Sequence, residues 1–168
     1  MINGYPVTLE HMLACREKRM LLQQALLEQY HRPVISFCMN IPGPVKTNPQ
    51  IFQAFLSGKN ELLERLEASD YQILNTIELH EPTGDELLLS VNASATDLKS
   101  LTTVIEDTHS CGRLFDMDIL DEDGQKLSRS RYRTCIICGK QAQECARSRS
   151  HTIEELQGKV LELCATVS

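Results

Sequence analysis

Two aspartates, Asp116 and Asp118, alternate with apolar residues in the last third of the chain. The apolar positions, whose period of two is typical of a half-buried β-strand, are Phe115, Met117 and Ile119. Because successive side chains of a strand point to opposite faces, the two carboxylates stand side by side and repel each other unless a cation neutralises them. Mg²⁺ prefers such carboxylates and completes its shell with water and phosphate oxygens. The pattern predicts a Mg²⁺ site, and the alternative is a solvated strand that leads into the acidic turn 121–124.

Two cations complete a candidate site for phosphoryl transfer. Lys46 follows the stiff turn Pro42-Gly43-Pro44, whose glycine lets the backbone approach a ligand closely. Arg113 precedes the aspartates and offers a bidentate fork to phosphoryl oxygens, whereas Lys46 offers a compact charge. With a metal, such cations neutralise charge on the transferred phosphorus and on a departing diphosphate. The alternative for Lys46 is an ordinary surface lysine.

The order of the predicted elements indicates the architecture that positions these residues. A helix from Leu9 to Tyr30 precedes strands at 34–41, 71–79 and 86–92, the acidic strand, and helices at 49–69 and 94–109. Gly58 predicts a kink or break in the second helix. The series β-α-β-β-α-β predicts an α+β, ferredoxin-like core with an antiparallel sheet in the order 4-1-3-2. In that unit both helices cover one face of the sheet and the other face is open.

The first strand and the acidic strand should converge on one spot, because they are neighbours in this order. The first strand alternates apolar residues with Ser36, Cys38 and Asn40. Asn40 and the turn at 42–46 should therefore lie near Arg113 and Asp116. We predict a single domain over residues 1–168, with the core at about 34–121 and a helical extension rich in Cys and Arg at about 126–168.

Composition excludes several classes of protein. The chain has 168 residues, enough for one domain, with a net charge of −6 and no basic block, which argues against nucleic-acid or membrane-surface partners. No apolar stretch has the length of a membrane span, and no secretion signal is recognisable at the N-terminus. Seven cysteines in such a chain predict a reducing, cytoplasmic environment.

A second constellation follows the acidic strand. Its members are Cys135, Cys138, Cys145 and His151. Zinc takes thiolate and imidazole ligands tetrahedrally, so a Cys₃His zinc site is chemically reasonable. The alternative is a set of ordinary structural thiols, because only one Cys-x-x-Cys pair is present and the spacing of the last two members is irregular. Thr152 and Glu155 then form a capping box that predicts a final helix.

Four segments resemble one known family, the phosphoribosyl-dephospho-coenzyme A transferases of citrate lyase, also called holo-citrate lyase synthases. They lie at 16–24, 35–46, 112–121 and 145–149, and the resemblance spans about 9–168. The family attaches 2′-(5″-phosphoribosyl)-3′-dephospho-coenzyme A to a serine of the lyase acyl carrier protein, the γ subunit. Its donor carries a triphosphate, and diphosphate leaves. The resemblance implies a nucleotidyltransferase-type displacement, the class of reaction that the carboxylates and cations indicate by themselves.

Further residues are candidates for binding of the donor. Asn40, Pro42, Gly43, Arg16, Arg147 and Arg149 are expected to bind the donor. Arg129, Arg131 and Arg133 add to a local basic density that is expected to bind the phosphates of a coenzyme A derivative, or else only offsets the acidic charge of the chain. The acidic strand is also similar to the strand with which folate-pathway pyrophosphokinases bind two Mg²⁺ ions, a local likeness that supports metal chemistry alone.

Two other functions stay open at this point. One is a Mg²⁺-dependent nucleotidyltransferase or pyrophosphokinase that acts on a small molecule. The other is a non-catalytic, zinc-stabilised assembly module of the lyase complex. Binding of a triphosphate donor that depends on Mg²⁺ and on Asp116 favours an enzyme. Binding of the carrier without such binding of a donor favours the module.

Overall fold

The computed structural model describes residues 1–167 and contains five α-helices and one four-stranded antiparallel sheet. The helices are α1 (Leu9–Tyr30), α2 (Pro49–Ala68), α3 (Ala95–Thr108), α4 (Ala142–Ser148) and α5 (Ile153–Cys164). The strands are β1 (Val34–Met39), β2 (Gln72–Glu81), β3 (Gly84–Asn92) and β4 (Phe115–Leu120). The sheet order is β2-β3-β1-β4, which is the predicted order of strands. None of the helices in the described part of the chain combines the length and apolar character needed to cross a bilayer.

Side-chain caps set the helix starts where the sequence places them. The Asn48 side chain accepts a hydrogen bond from the third residue of α2, and Pro49 occupies the first position, where no amide hydrogen is needed. Thr152 and Glu155 bond each other's backbone amides at the start of α5, so the predicted capping box is confirmed. At α3 the Ser94 side chain caps the helix alone.

Gly58 does not break the second helix, and that expectation is wrong. Helix α2 runs without interruption from Pro49 to Ala68. A Cβ atom at Gly58 would lie 2.5 Å from the ring of Phe115 and 3.0 Å from the ring of Phe37. The glycine therefore allows α2 to approach the sheet closely, which is a tertiary requirement that helix propensity does not reveal.

One face of the sheet carries the main hydrophobic core. The predicted apolar face of β4 is buried there, against α2, α3 and α5. Phe37 stacks on Phe55 of α2 at 5.0 Å and meets Phe115 edge-on at 5.2 Å. Val160 and Cys164 join α5 to the same core. The C-terminal helix is thus packed on the layer that α2 and α3 form.

The other face of the sheet is not open, because α1 lies on it. Leu26 packs against Val34 of β1 and Leu88 of β3. The Gln23 side chain donates to Ser36 at 2.9 Å. The expectation of an open face is wrong for β1 and β3. The contact is part apolar and part polar, because Leu22, Leu26 and Tyr30 pack on the sheet beside the polar pair of Gln23 and Ser36.

A buried ion pair anchors α1 to the sheet. Arg19 donates to both carboxylate oxygens of Glu86 on β3 at 2.8 Å, and the Cys15 thiol donates to the same carboxylate. The Glu86 side chain is 4% exposed, so its charge depends on these partners. Although burial acts to raise the pKa of Glu86, the hydrogen bonds from Arg19 and Cys15 hold it below its usual range.

Candidate active site and metal centre

Asp116 and Asp118 lie on β4, the edge strand next to β1, beyond the strands that α1 contacts most. They pair across the sheet with Cys38 and Ser36, and both are half-buried. Burial raises the pKa of the Asp116 carboxyl, and the charge of Asp118 raises it further. A cation between these carboxylates would relieve both effects, as expected for a site that binds a metal.

Lys126 supplies one positive charge to this pair. Its Nζ lies 2.7 Å from Oδ2 of Asp118. The acidic turn places it there, because Asp121 caps the turn with its side chain and Gly124 adopts a φ of 78°. The chain then returns antiparallel to β4, with Lys126 opposite Leu120. Sequence reasoning missed this lysine, although a turn after an edge strand returns the chain beside that strand.

A cavity of about 570 Å³, here called the aspartate cavity, contains both aspartates. The cationic residues that line it are Lys99, Lys126, Arg129, Arg131 and Arg133. Glu106 also lines the cavity, so three carboxylates stand with five cations. Such a lining suits a polyphosphate that binds partly through a metal and partly through direct charge-assisted hydrogen bonds.

Two arginines of this cavity are held in place by the fold. Arg133 donates to the backbone carbonyls of Phe115 and Gly112 at 2.8 and 2.9 Å. Arg129 donates to Asp107 at 2.6 Å, and its Nε lies 3.4 Å from the buried carboxylate of Glu106. These contacts fix the 129–133 segment against the start of β4. The positive charges of the segment therefore lie in the same cavity as the aspartates.

A second cavity of about 790 Å³, here called the arginine cavity, opens at the ends of β1 and β4. Its lining includes Asn40, Pro42, Arg113, Arg133, Arg149 and Leu156. The amide of Asn40 donates to the carbonyl of Leu114 at 2.7 Å. The predicted approach of Asn40 and Pro42 to Arg113 is confirmed, and Arg149 joins them from the end of α4. Asp116, which was expected beside them, lines the aspartate cavity instead.

Gly43 approaches a helix closely. Its φ is 85°, and a Cβ atom there would meet the side chains of Gln157 and Ile153 on α5. Gln157 donates to the carbonyl of Pro42 at 3.3 Å. Packing against α5 accounts for this glycine, and a contact of Gly43 with a ligand stays a prediction.

The structure separates Lys46 from Arg113 and from the two aspartates. Its Nζ donates to the carbonyl of Ile41 at 2.7 Å, and its Cβ lies 4.0 Å from the Cβ position of Gly84, at the start of β3. Burial lowers the pKa of Lys46, and the nearby charge of Arg16 lowers it further. Among the described residues Lys46 lines neither cavity, so the expected position beside the start of β4 is not found. The turn after β1 carries this side chain toward β3.

Arg147 is also outside both cavities, on the exposed surface of α4. The predicted donor-binding cations therefore form two groups. Arg113 and Arg149 meet in the arginine cavity, whereas Arg16 lies near Lys46. Lys46 was expected beside the aspartates. That position is occupied by basic residues that follow the acidic turn 121–124, of which Lys126 pairs with Asp118.

The four residues of the predicted Cys₃His set do come together. Their ligand atoms all lie within 4.8 Å of one another. Sγ of Cys138 is 3.5 Å from Sγ of Cys145 and 3.4 Å from Nε2 of His151. Hydrogen bonds from the Lys140 backbone and from His151 lower the pKa of Cys138 to about 6, which favours its thiolate. The cluster could hold a metal such as zinc.

A tight turn and a short helix build this cluster. The amide of Ile137 points to Sγ of Cys135 at 3.4 Å, and the amide of Cys135 donates to the carbonyl of Lys140. Helix α4 carries Cys145, and His151 follows it directly. The irregular spacing of the last two members is thus explained by the helix that separates the Cys-x-x-Cys turn from the histidine.

The sequence profile of the apo-citrate lyase phosphoribosyl-dephospho-CoA transferases matches residues 7–167. The chain belongs to this family. A relative from Citrobacter koseri that bears the family's name is 32% identical over 156 residues, which cover 90% of this chain and 85% of the relative. A relative of the same name from Escherichia coli O1:K1 is 32% identical over 162 residues, covering 94% and 88%. The resemblance noted from four short segments is confirmed over nearly the whole chain.

Family membership makes this protein a transferase of the citrate lyase group. Both cavities and the Cys₃His cluster lie within the segment that the family profile matches.

Besides Lys126, sequence reasoning missed Lys99 and Glu106, which α3 brings to the aspartate cavity. No local signal marks these two, because only the packing of α3 beside β4 places them there.

Proposed function

We propose that this protein transfers the phosphoribosyl-dephospho-coenzyme A group from a triphosphate donor to a serine of the citrate lyase acyl carrier protein, releasing diphosphate. The observation that carries the proposal is the aspartate cavity, which Asp116 and Asp118 line together with five cationic residues. Such a cavity suits a polyphosphate that carries a diphosphate leaving group. The relatives' names give apo-citrate lyase as the acceptor and phosphoribosyl-dephospho-CoA as the transferred group.

Asp116 and Asp118 fit Mg²⁺ by the chemistry of their donors, because both are hard oxygen ligands on one strand face. Lys126, which now neutralises Asp118, is 60% exposed and free to swing toward a phosphate. When bound, Mg²⁺ would neutralise phosphate oxygens and lower the barrier to displacement. The two aspartates would hold it, while Arg131, which also lines the cavity, faces the departing diphosphate.

The chemical step is a displacement at phosphorus. The acceptor serine oxygen forms a bond to the α-phosphorus of the donor, and the bond from that phosphorus to the bridging oxygen breaks. Diphosphate leaves with the electron pair, and the serine gives up its proton. The residues of the aspartate cavity orient the triphosphate and stabilise the growing negative charge, which is the main requirement for this class of reaction.

Lys46 has no part in this proposed step, in contrast to its role in the sequence-based prediction. Its ammonium is bonded to the carbonyl of Ile41 and lies on the β3 side of β1. Lys126 occupies the position that the chemistry assigns to a cation beside the leaving group. Arg113 stays in the proposed site as a ligand of a donor phosphate.

We also propose that the Cys₃His cluster binds Zn²⁺ in a structural role. Three thiolates and one imidazole form a donor set that zinc takes tetrahedrally. Four protein ligands leave no open position for a substrate, so this metal would stabilise the fold and take no part in transfer. We place the protein in the reducing cytoplasm, where cysteines such as Cys15, Cys38 and Cys138 stay outside disulfides.

The core of the proposed enzyme is ferredoxin-like, and residues 1–168 form a single transferase domain. The element order and the strand order β2-β3-β1-β4 support this description of the fold. Packing of Val160 and Cys164 into the same core as β4 supports the inclusion of the C-terminal segment in that domain.

The test is the intact mass of apo-acyl carrier protein after incubation with enzyme, triphosphate donor and Mg²⁺. We expect a gain equal to one phosphoribosyl-dephospho-coenzyme A group, lost when Mg²⁺ is omitted or Asp116 is replaced by Asn. Binding of the carrier without any gain in mass would contradict the proposal and favour an assembly module. Turnover of a small phosphorylated molecule with the carrier unmodified would favour the pyrophosphokinase alternative.

A further inference from the structure

The arginine cavity has a chemical character that the transfer step does not use. Three arginines line it, Arg113, Arg133 and Arg149, together with apolar side chains that include Leu114, Ile136 and Leu156. Among the residues that the structure describes, no Asp or Glu lines it. Apolar walls with a few fixed cations suit an elongated ligand that carries both phosphate and uncharged groups.

Two of these arginines lack a close counterion in the part of the chain that the structure describes. No carboxylate in residues 1–167 lies within ion-pair distance of Arg113 or of Arg149. Arg113 is half-buried, and burial together with the charges of Arg133 and Arg129 lowers its pKa. A half-buried guanidinium among other cations is stabilised when an anion binds beside it.

The surrounding segment has the same excess of positive charge. Seven of the 17 Lys and Arg residues of the chain, but only one of its 23 Asp and Glu residues, lie between positions 126 and 149. This segment forms walls of both cavities, on a protein whose net charge is −6. The charge is therefore concentrated where an anionic ligand would enter.

The two cavities share lining residues. Arg133 lines both of them, as does Ala142 at the start of α4. The guanidinium of Arg133 is held by the carbonyls of Gly112 and Phe115, so it forms a fixed point between the cavities. One ligand could pass Arg133 with a polyphosphate on the aspartate side and a longer arm on the other side.

The geometry points to the arginine cavity as the binding site of the 3′-dephospho-coenzyme A arm of the donor, and this assignment rests on the proposed function. The 5′-diphosphate of the arm lies on Arg113 and Arg149, and the pantetheine lies along Ile136 and Leu156. The triphosphate then reaches Asp116 and Asp118 past Arg133. Binding of this non-reacting arm holds the reacting phosphorus in place, which is how remote contacts accelerate a reaction.

The Cys₃His cluster forms one wall of this site. Cys135, Cys145 and His151 line the arginine cavity, and Ile136 lies within the Cys-x-x-Cys turn. A metal at the cluster would therefore fix the wall that contacts the arm. Loss of the metal should weaken binding of the arm while the aspartate cavity keeps its residues.

The test uses 3′-dephospho-coenzyme A as the probe, because it contains the arm and lacks the triphosphate. Calorimetry without added Mg²⁺ should show binding to the full-length protein that Asp116→Asn leaves unchanged. Arg149→Gln and Ile136→Glu should each raise Kd by about tenfold or more, since each removes or opposes a direct contact. Lys140→Gln and Ile137→Glu are the matched controls, because both are exposed neighbours that do not line the cavity, and their Kd should stay within about twofold of wild type.

Zinc content and Tm are measured for every variant, so that loss of the fold is distinguished from loss of a contact. Equal effects of each test variant and its control, or no binding by wild type even in large excess of probe, would overturn the assignment. If the Kd pattern holds but the carrier gains no mass with the full donor, the proposed transfer fails and the binding site stands. If the carrier is modified but the Kd of the probe is unchanged in Arg149→Gln and Ile136→Glu, the arm binds elsewhere and only this inference fails.

Discussion

Lys126 Nζ lies 2.7 Å from Oδ2 of Asp118, so the chain itself supplies a cation to the aspartate pair. The ammonium is 60% exposed, and exposed ion pairs typically contribute only about 0–1 kcal/mol to stability. A divalent ion between Asp116 and Asp118 can therefore displace the lysine at little cost. The displaced lysine remains tethered beside the site, where a phosphate would be its next partner.

Replacing either aspartate should separate activity from stability. Asp116→Asn or Asp118→Asn should abolish transfer, while the Tm without Mg²⁺ stays equal or rises, because one of two crowded carboxylates loses its charge. Intact-mass rates and thermal unfolding measure the two effects. Asp123→Asn, in the exposed acidic turn, is the control and should change neither. Near-normal transfer by both test variants at saturating donor would contradict the metal assignment.

Lys126 and Lys46 make opposite kinetic predictions. Lys126→Ala should lower kcat by about 10²-fold, because a cation beside the leaving diphosphate acts most strongly in the transition state. Lys46→Ala should leave kcat within about twofold, since its ammonium is bonded to the carbonyl of Ile41. Steady-state rates over a range of donor concentrations give both values. A large loss of kcat confined to Lys46→Ala would show that the leaving group lies on the β3 side.

Purified protein should contain one equivalent of zinc by elemental analysis. A chelator strong enough to remove it should lower the Tm and loosen the segment from Cys135 to His151, because such sites couple metal binding to folding. Cys138→Ser should lose the zinc, whereas Cys15→Ser, whose thiol bonds Glu86 far from the cluster, should retain it. If the wild-type protein is folded but contains far less than one equivalent of zinc, the four side chains do not form a zinc site.

The ion pair between Arg19 and Glu86 should make stability depend on acid pH. Since the pKa of Glu86 is lowered in the folded state, the charged carboxylate stabilises the protein above the unfolded pKa, and this contribution is lost as pH falls through the folded pKa. Glu86→Gln should cost about 2 kcal/mol or more at neutral pH, because Arg19 is left without a charged partner. Urea unfolding should show that the difference in free energy of unfolding between wild type and Glu86→Gln becomes smaller as the pH falls from neutral to acid. A difference that is constant with pH would mean that the charge of Glu86 does not matter.

Two glycines in helices should respond to alanine with opposite signs. Gly158→Ala in α5 should stabilise the protein by up to about 1 kcal/mol, because nothing lies within 4 Å of the new Cβ and alanine favours helix. Gly58→Ala should destabilise it, since overpacking against Phe115 costs about 1–3 kcal/mol and exceeds the gain in propensity. The free energy of unfolding of both variants checks this pair. Stabilisation by Gly58→Ala would mean that the ring of Phe115 moves aside freely.

Local patterns in the sequence determined most of the secondary structure. Caps such as Asn48-Pro49 and Thr152 mark helix starts, because a side-chain oxygen there satisfies an amide of the first turn whatever the rest of the fold does. Alternation determined which face of β4 is buried. The order of elements then predicted the strand order, since few topologies connect such a series without crossing.

Only the tertiary structure decided which charges meet. Asp116 and Asp118 share a face because they are two residues apart on one strand, and this much is local. The position of Lys46 depends on the direction of the loop after β1, and the contact of Lys126 with Asp118 depends on the turn after β4. The packing of α1 on the sheet depends in part on the buried ion pair of Arg19 and Glu86. Long-range contacts of polar groups have no periodic signature in sequence, because each depends on the geometry of its partner and hydrophobic patterning records only burial.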